Sequence, residues 1–275
     1  MTTIRGTTRL AGVIGWPVEH SRSPQIMNAA FALARIDAVL VPIGVPPAGL
    51  APVIAGLRAL RALGASVTVP HKLAAAALCD ELTPAAGAIG AANCLQFDGG
   101  RLIGHNTDEG GFVDGLRAAG FERADARAVV LGAGGSARAV SYALRAGRVD
   151  VIARQPEKVV WTRARLWSPG ELQEAFAAAD LVVDCTHVGL VGNDAEQEFV
   201  DQLPLDALRR DAWVASLVYH RQTLLLERAG ARGHSTLDGR AMLVHQAARA
   251  FTIWTGMPAP LDAMTRALAD SLRGT

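Results

Sequence analysis

Apolar residues along the chain alternate between the short period of strands and the longer period of helices. Runs of β-branched residues bounded by glycine or proline predict strands, and segments with apolar residues on one helical face predict helices. The first part of the chain contains, in order, the predicted strand Leu10–Gly15, helix Pro24–Ile36, strand Val39–Gly44, helix Gly49–Leu63, strand Gly64–Pro70 and helix Lys72–Leu78. Strands that alternate with helices in this way indicate a parallel sheet covered by helices.

A hairpin interrupts the alternation and is predicted for residues 91–104, because the Asp-Gly-Gly sequence at residues 98–100 suits a tight turn with positive φ. A helix is predicted to follow over Thr107–Ala119. Beyond Gly120 the alternation starts again, with strand Ala128–Leu131, helix Ser136–Leu144, strand Val149–Ala153, helix Pro169–Ala178, strands Leu181–Cys185 and Ala212–Leu217, and helices Gly239–Thr255 and Asp262–Leu272.

This restart predicts two domains, which suits a chain of 275 residues because a domain typically has about 100 to 200. We predict a Rossmann-like doubly wound domain over residues 108–237. Residues 1–107 form the other predicted α/β domain. Residues 238–275 are predicted to complete that first domain as helices, because the second domain has no further sheet to cover. The predicted fold class is α/β with two domains.

Composition narrows the range of partners. The sequence is 50% hydrophobic and 19% charged, with a formal net charge of +1, so we expect no binding to nucleic acid or to an anionic membrane surface. Cys79, Cys94 and Cys185 form no Cys-x-x-Cys pair, and no histidine is spaced as a metal ligand, so neither a disulfide nor a metal is predicted. Without a signal-peptide core or a membrane-spanning apolar run, we expect a cytoplasmic protein that acts on a small molecule.

The strongest local motif is a glycine-rich turn. The apolar strand Val129–Leu131 leads directly into Gly132, Ala133, Gly134, Gly135, Ser136 and Ala137. In a dinucleotide-binding turn, the first glycine makes the bend, the second lets backbone N–H groups approach a pyrophosphate, and the small residue at Ala137 allows close packing of helix on strand. The alternative is an ordinary glycine-rich turn in a doubly wound domain.

The end of the next predicted strand indicates which dinucleotide binds. In this architecture, an acidic side chain at that point accepts the ribose hydroxyls of NAD, whereas a guanidinium pairs with the 2′-phosphate of NADP. The residue there is Arg154, and Lys158 adds a second positive charge. Asp150 comes too early in the strand to reach the ribose. NADP is therefore the predicted cofactor, with NAD still possible and a solvated strand-end charge as the alternative for Arg154.

Four further segments, together with this turn, make the chain resemble the shikimate dehydrogenase family. They occur in the family's order over nearly the whole length, and they are His20–Pro24, Val67–Lys72, Asn106–Asp108 and Met242–Gln246. The resemblance implies an N-terminal substrate domain completed by the C-terminal helices, an NADP domain between them, and interconversion of 3-dehydroshikimate and shikimate.

The resemblance also implies the roles of individual residues. The hydroxyls of Ser21, Ser23 and Tyr219 would hold the substrate carboxylate. The ring hydroxyls would be bound by Thr68, Asn93 and Gln246. These residue types suit a polyol acid, because amides and hydroxyls both donate and accept hydrogen bonds.

Lys72 and Asp108 would be the catalytic pair. Reduction of a ketone needs a proton for the developing alkoxide, which a lysine ammonium can supply while an aspartate positions it. Each residue also has a simpler interpretation: Lys72 as a solvated residue at a helix start, and Asp108 as a helix cap. Ser21 and Ser23 could similarly cap the helix that begins near Pro24.

Several positions depart from the family's usual pattern. Those near the substrate segments are Trp16, Met27, Cys94 and Glu109, and those in the cofactor domain include Ala153, Gln155 and Leu190. These departures leave open a quinate or aminoshikimate dehydrogenase and, as a different class, a dinucleotide-sensing protein without catalysis. The chain itself is expected to be a monomer or a homodimer.

Overall fold

The computed structural model describes residues 4–189 and 195–273, so the sequence departure at Leu190 lies outside the described residues. The described residues form two compact units. The first unit runs up to Gly111 and resumes at Leu243, and the second unit is Phe112–Met242. The chain passes between them within two helices.

The first unit is built on a six-stranded sheet of order β2-β1-β3-β5-β6-β4. Its strands are β1 Arg9–Gly15, β2 Ala38–Gly44, β3 Gly64–Val67, β4 Glu81–Leu82, β5 Cys94–Asp98 and β6 Arg101–His105. Its helices are α1 Ser23–Leu33, α2 Leu50–Ala59, α3 Lys72–Ala77, α4 Pro84–Ile89, the start of α5 Asp108–Ala118, most of α10 Arg240–Thr255, and α11 Leu261–Arg273. The β5–β6 hairpin is antiparallel and turns through Gly99 and Gly100, which both have positive φ.

The two faces of this sheet pack against separate sets of helices. Along β1, Ala11 and Val13 contribute to a core with α1, α10 and α11, whereas Ile14 contributes to a second core with α2 and α3. This follows from the two-residue alternation of side chains in a strand. The C-terminal helices therefore complete the first unit, as the sequence predicted.

The second unit contains a parallel sheet of order β12-β11-β10-β7-β8-β9. Its strands are β7 Arg127–Leu131, β8 Arg148–Ala153, β9 Ala164–Leu166, β10 Leu181–Asp184, β11 Trp213–Ser216 and β12 Ser235–Leu237. Its complete helices are α6 Gly135–Ala143, α7 Pro169–Ala178, α8 Glu196–Asp201 and α9 Leu224–Ala231. Read from β9, this is the doubly wound Rossmann order, whose strand order reverses between β7 and β10.

Two predicted helices are longer than the observed ones. The helix predicted to Ile36 ends at Leu33, and the helix predicted to Leu63 ends at Ala59. In each case an arginine beyond the end takes a positive φ, Arg35 at 56° and Arg61 at 53°, and the next N–H bonds back to the last turn. This is the hydrogen-bonding pattern of a Schellman C-cap, which apolar periodicity alone does not reveal.

Other differences involve short elements. The strand predicted to Pro70 ends at Val67, because the chain turns there and the Thr68 carbonyl accepts the His71 N–H. The elements that sequence periodicity did not predict are β4, α4, β9, α8, α9 and β12, and few of them are long enough to show a period. Within the two described stretches of the chain, no helix is both long and apolar enough to cross a membrane.

Candidate functional site

Several predicted site residues of the first unit lie at one edge of its sheet. Strand β5 is antiparallel to both β3 and β6, so the beginning of β5 lies beside the ends of the other two. Thr68 follows β3, Asn93 precedes β5, and Asn106–Asp108 follow β6. Segments far apart in sequence are thereby brought to the same place.

Lys72 and Asp108 form a buried ion pair at this edge. Lys72 Nζ lies 2.7 Å from Asp108 Oδ2, and the two side chains are 11% and 7% exposed. Lys72 is therefore not a solvated helix-start residue. Asp108 begins α5, but its carboxylate contacts Lys72 and Asn93, while Asn106 Oδ1 accepts the Glu109 N–H at 3.4 Å.

Asn93 is the centre of the hydrogen-bond network around this pair. Its Nδ2 lies 2.8 Å from Asp108 Oδ1, 3.0 Å from Thr107 Oγ1 and 3.4 Å from Gln246 Oε1, and its Oδ1 accepts the Thr107 N–H at 2.6 Å. Both oxygens of Asp108 are thus hydrogen-bonded, one to an ammonium and one to an amide. The sequence reasoning proposed Asn93 and Gln246 as separate substrate ligands and missed their contact with this network.

The two predicted carboxylate-binding serines lie at the start of α1. Ser21 Oγ accepts the Ser23 N–H at 3.3 Å, and Ser23 is buried. The N-cap residue of α1 is Arg22, which makes no side-chain capping bond. The predicted partner Tyr219 belongs to the second unit, where it follows β11 and contacts His220 edge-on.

Two of the departures from the family pattern lie in the apolar core. Met27 and Cys94 are both completely buried and belong to the cluster that contains Phe31 and Phe251. Burial raises the pKa of the Cys94 thiol well above its usual range, so this thiol is neutral and packs as a small apolar group. In contrast, Trp16 is 49% exposed.

The glycine-rich turn of the second unit joins β7 to α6, at the point where the strand order reverses. Gly132 has a φ of +99°, and a Cβ there would lie 3.4 Å from the Cys185 carbonyl oxygen. Gly134 is the N-cap of α6 without a side-chain capping bond, and a Cβ there would have no atom within 4 Å. The start of α6 therefore has no side-chain cap and has open space at Gly134, which fits a dinucleotide phosphate.

The other members of the predicted turn have distinct positions. Ala133 lies between the two glycines, and Gly135 and Ser136 begin α6. Ala137 is completely buried against the sheet. The close packing of helix on strand expected for a small third residue is thus present.

Arg154 and Lys158 are exposed beyond the end of β8, with Lys158 in the short 3-10 helix Pro156–Lys158. Asp150 instead lies within β8 and pairs with Arg148 at 3.6 Å, near the beginning of that strand. The part of the chain that is described contains no group of three or more metal-ligating side chains.

Asp184 is a buried acid that the sequence reasoning missed. It ends β10 and is 2% exposed, and its Oδ1 accepts the Thr186 N–H at 2.9 Å. Burial raises its pKa from 3.8 to about 6, although hydrogen bonds from Thr186 and Ser216 act in the opposite direction. Asp184 connects the loop after β10 to the end of β11, beside the glycine turn.

A doubly wound unit with a glycine turn at its switch point, and an α/β unit with a buried Lys–Asp pair, define a two-domain dinucleotide-binding oxidoreductase. Comparison with known proteins identifies the family. A family model described as shikimate dehydrogenase substrate binding domain matches residues 13–95, and one described as shikimate 5'-dehydrogenase C-terminal domain matches residues 239–269.

Whole-chain similarities agree with these matches. The chain is 40% identical to a shikimate dehydrogenase (NADP(+)) of Symbiobacterium thermophilum over 291 residues, covering 99% of this chain and 98% of the relative. The crystal structure of shikimate dehydrogenase from Aquifex aeolicus matches with a TM-score of 0.87 and 35% identity, covering 96% of this chain and 99% of that one.

A third similarity is to a structure determined with bound ligands. The shikimate 5-dehydrogenase of Thermus thermophilus, in complex with NADP(H) and shikimate, matches with a TM-score of 0.84 and 33% identity, covering 96% of this chain and 100% of that one. This chain belongs to the shikimate dehydrogenase family.

Proposed function

We propose that the protein is an NADP-dependent shikimate dehydrogenase, which interconverts 3-dehydroshikimate and shikimate. The observation that carries this proposal is the buried Lys72–Asp108 pair, held in place by Asn93. A buried ion pair is costly unless its geometry and hydrogen bonds are good, so its presence beside other convergent polar groups indicates a site rather than a source of stability.

The composition supports a proton-transfer role for Lys72. Of the 27 basic residues Lys and Arg, only Lys72 and Lys158 are lysines. A guanidinium stays protonated and cannot act as an acid, whereas an ammonium can lose its proton in a suitable environment. In a chain that otherwise uses arginine so heavily, a lysine in the buried pair is the residue type that proton donation requires.

In the proposed reaction, polar residues bind and orient the substrate, and all of them except Tyr219 belong to the first unit. Ser21, Ser23 and Tyr219 hold its carboxylate, and Thr68, Asn93 and Gln246 bind its ring hydroxyls. Bound NADPH supplies the hydride that reduces the ketone carbon. As the carbonyl π bond breaks, Lys72 Nζ gives a proton to the oxygen, Asp108 keeps the ammonium oriented, and the neutral amine regains a proton from solvent.

The cofactor is proposed to bind at the second unit. Residues 132–137 would hold the pyrophosphate through backbone N–H groups at the start of α6. Arg154 and Lys158 would pair with the 2′-phosphate. Backbone donors provide no discrimination between NAD and NADP, so the selectivity would depend on the cations at the end of β8.

A substrate panel tests the proposed function. Oxidation of NADPH and NADH is followed with 3-dehydroshikimate, 3-dehydroquinate and the amino analogue of dehydroshikimate. We expect kcat/KM to be highest for 3-dehydroshikimate with NADPH, by about tenfold or more over the other ketones, because a missing or added polar contact costs at least that much. A preference for dehydroquinate would make the protein a quinate dehydrogenase. If no ketone is reduced while NADPH still binds, the protein is a binding protein instead.

A further inference from the structure

Arg138 lies in the first turn of α6, directly after the glycine turn, and it has no anionic partner among the residues that the structure describes. Its Nε is buried and makes no hydrogen bond. Other arginines of the second unit do have partners: Arg221 lies 2.6 Å from Glu196, and Arg123 bonds both Asp180 and Asp211. Unlike these arginines, Arg138 has a buried donor with no acceptor among the described residues.

The Trp161 ring contacts the Arg138 guanidinium but accepts no hydrogen bond from its Nε. Its Cζ lies 5.7 Å from the centroid of the Trp161 ring, and burial lowers the pKa of the guanidinium from its ordinary value. Stacking on a ring attracts a cation, but it gives the N–H donors no acceptor. Because buried donors in native proteins nearly always have a partner, the free donor of Arg138 indicates a missing acceptor.

Trp161 places Arg138 beside the segment that follows β8. Trp161 belongs to the connection between β8 and β9, which also carries Arg154 and Lys158. A helical side chain leans toward the N-terminus of its helix, so Arg138 leans toward the glycine turn. Arg138 directly follows the glycine turn, and the connection that carries Trp161 leaves the end of β8, where this architecture reads the adenosine ribose.

We propose that Arg138, held against Trp161, donates hydrogen bonds to the 2′-phosphate of NADP and is a determinant of cofactor selectivity alongside Arg154. A planar guanidinium suits this task, because two of its N–H groups can bind two phosphate oxygens at once. Ala153, the last residue of β8, has no polar side chain to contribute. The inference rests on the proposed preference for NADP.

Equilibrium binding tests the inference without catalysis. The dissociation constants of NADPH and NADH are measured by fluorescence titration for the wild type and for Arg138→Met. We expect the variant to bind NADPH about tenfold or more weakly, because it loses hydrogen bonds between charged groups, which are stronger than those between neutral groups. Its affinity for NADH should stay within about twofold of the wild-type value, since NADH lacks that phosphate.

A matched control is available near the other end of the same helix. The Arg145 guanidinium is exposed and lies 3.9 Å from the Tyr142 ring centroid, so Arg145→Met removes another stacked arginine. This control should bind both cofactors like the wild type. If Arg138→Met does not fold, Arg138→Lys keeps the charge but loses the planar pair of donors, and it should still weaken NADPH binding more than NADH binding.

Two outcomes would overturn the inference. One is an equal loss of affinity for NADPH and NADH, which would assign Arg138 to the shared pyrophosphate or to the fold. The other is unchanged affinity for both, which would make its contact with Trp161 purely structural. A wild-type protein that binds NADH as tightly as NADPH would instead contradict the proposed cofactor, so the two failures are distinguishable.

Discussion

Lys72 and Asp108 in the first unit are almost completely buried, whereas Arg154 and Lys158 in the second unit are exposed. The first pair is enclosed by hydrogen bonds from neighbouring side chains, and the second lies beyond a strand end where solvent can screen it. Burial strengthens an electrostatic interaction and restricts its geometry, which suits proton transfer. Exposure suits recognition of a charged ligand that must enter and leave. The two regions thus use cations in different ways.

The largest effect expected is that of Lys72→Met. We expect kcat to fall by about 10² to 10⁴, because general acid catalysis contributes that much. Binding of NADPH should be unchanged, since the glycine turn belongs to the other unit. Steady-state kinetics and fluorescence titration measure the two quantities separately.

Two further variants sharpen this result. Lys72→Arg keeps the positive charge but replaces the ammonium by a guanidinium, which does not give up its proton in a protein, so it should be nearly as inactive as Lys72→Met. Arg266→Met, on an exposed position of α11, is the matched control and should retain wild-type turnover. Turnover of Lys72→Met within twofold of the wild type would remove Lys72 from the mechanism.

Asp184→Asn tests whether the second unit also contains a buried carboxyl whose titration changes the stability of the fold. The pKa of Asp184 is raised from 3.8 to about 6, so the folded protein binds this proton more tightly than the unfolded chain does. The stability that this proton contributes is therefore complete below about pH 4 and is lost as the pH rises through 6. At about 1.4 kcal/mol for each unit of pKa, the loss is up to about 3 kcal/mol.

Thermal unfolding followed between pH 4 and pH 8 measures this effect. The asparagine variant cannot ionise, so its advantage in Tm over the wild type should grow between pH 4 and pH 6 and stay constant above. Asp201→Asn is the control with a flat profile, because hydrogen bonds from Gln197 and Arg228 lower the pKa of that exposed carboxyl, so its contribution to stability changes only below about pH 4. A pH-independent difference between Asp184→Asn and the wild type would show that Asp184 does not titrate in this range.

The smallest effect is expected for Arg154→Ala, because its charge is exposed and screened. We expect KM for NADP to rise by about tenfold, at the lower end of the range for charged hydrogen bonds, with little change for NAD. Arg148→Ala, at the opposite end of β8, is the control and should change neither value. Equal effects of Arg154→Ala on both cofactors would contradict its assignment to the 2′-phosphate.

Much of the architecture was predictable because it depends on local pattern. The helix Pro169–Ala178 has its predicted ends, and the strand, turn and helix around Gly132 form as expected. Each of these features needs only neighbouring residues: a proline in the first helical turn, or small residues at a bend. The helix ends just before Arg35 and Arg61 were not predictable in the same way, since either arginine could equally have continued its helix.

The polar networks required the tertiary structure. Asn93 and Asp108 are 15 residues apart, and Asn93 and Gln246 are 153 apart, so no local pattern indicates that they share hydrogen bonds. Asp184 and Arg138 look like ordinary residues at a strand end and a helix start. Only burial distinguishes them, and burial depends on which segments pack over them.

The glycine turn, the motif residues and the two-domain α/β class were therefore determined by the sequence itself, because short-range periodicity and backbone conformation encode them. The arrangement of the buried polar groups was decided by the tertiary structure. Strands β3, β5 and β6 bring their neighbouring loops to one edge. Burial there strengthens each hydrogen bond and charge pair and makes an unpaired polar group costly, so only one arrangement of these side chains is favourable.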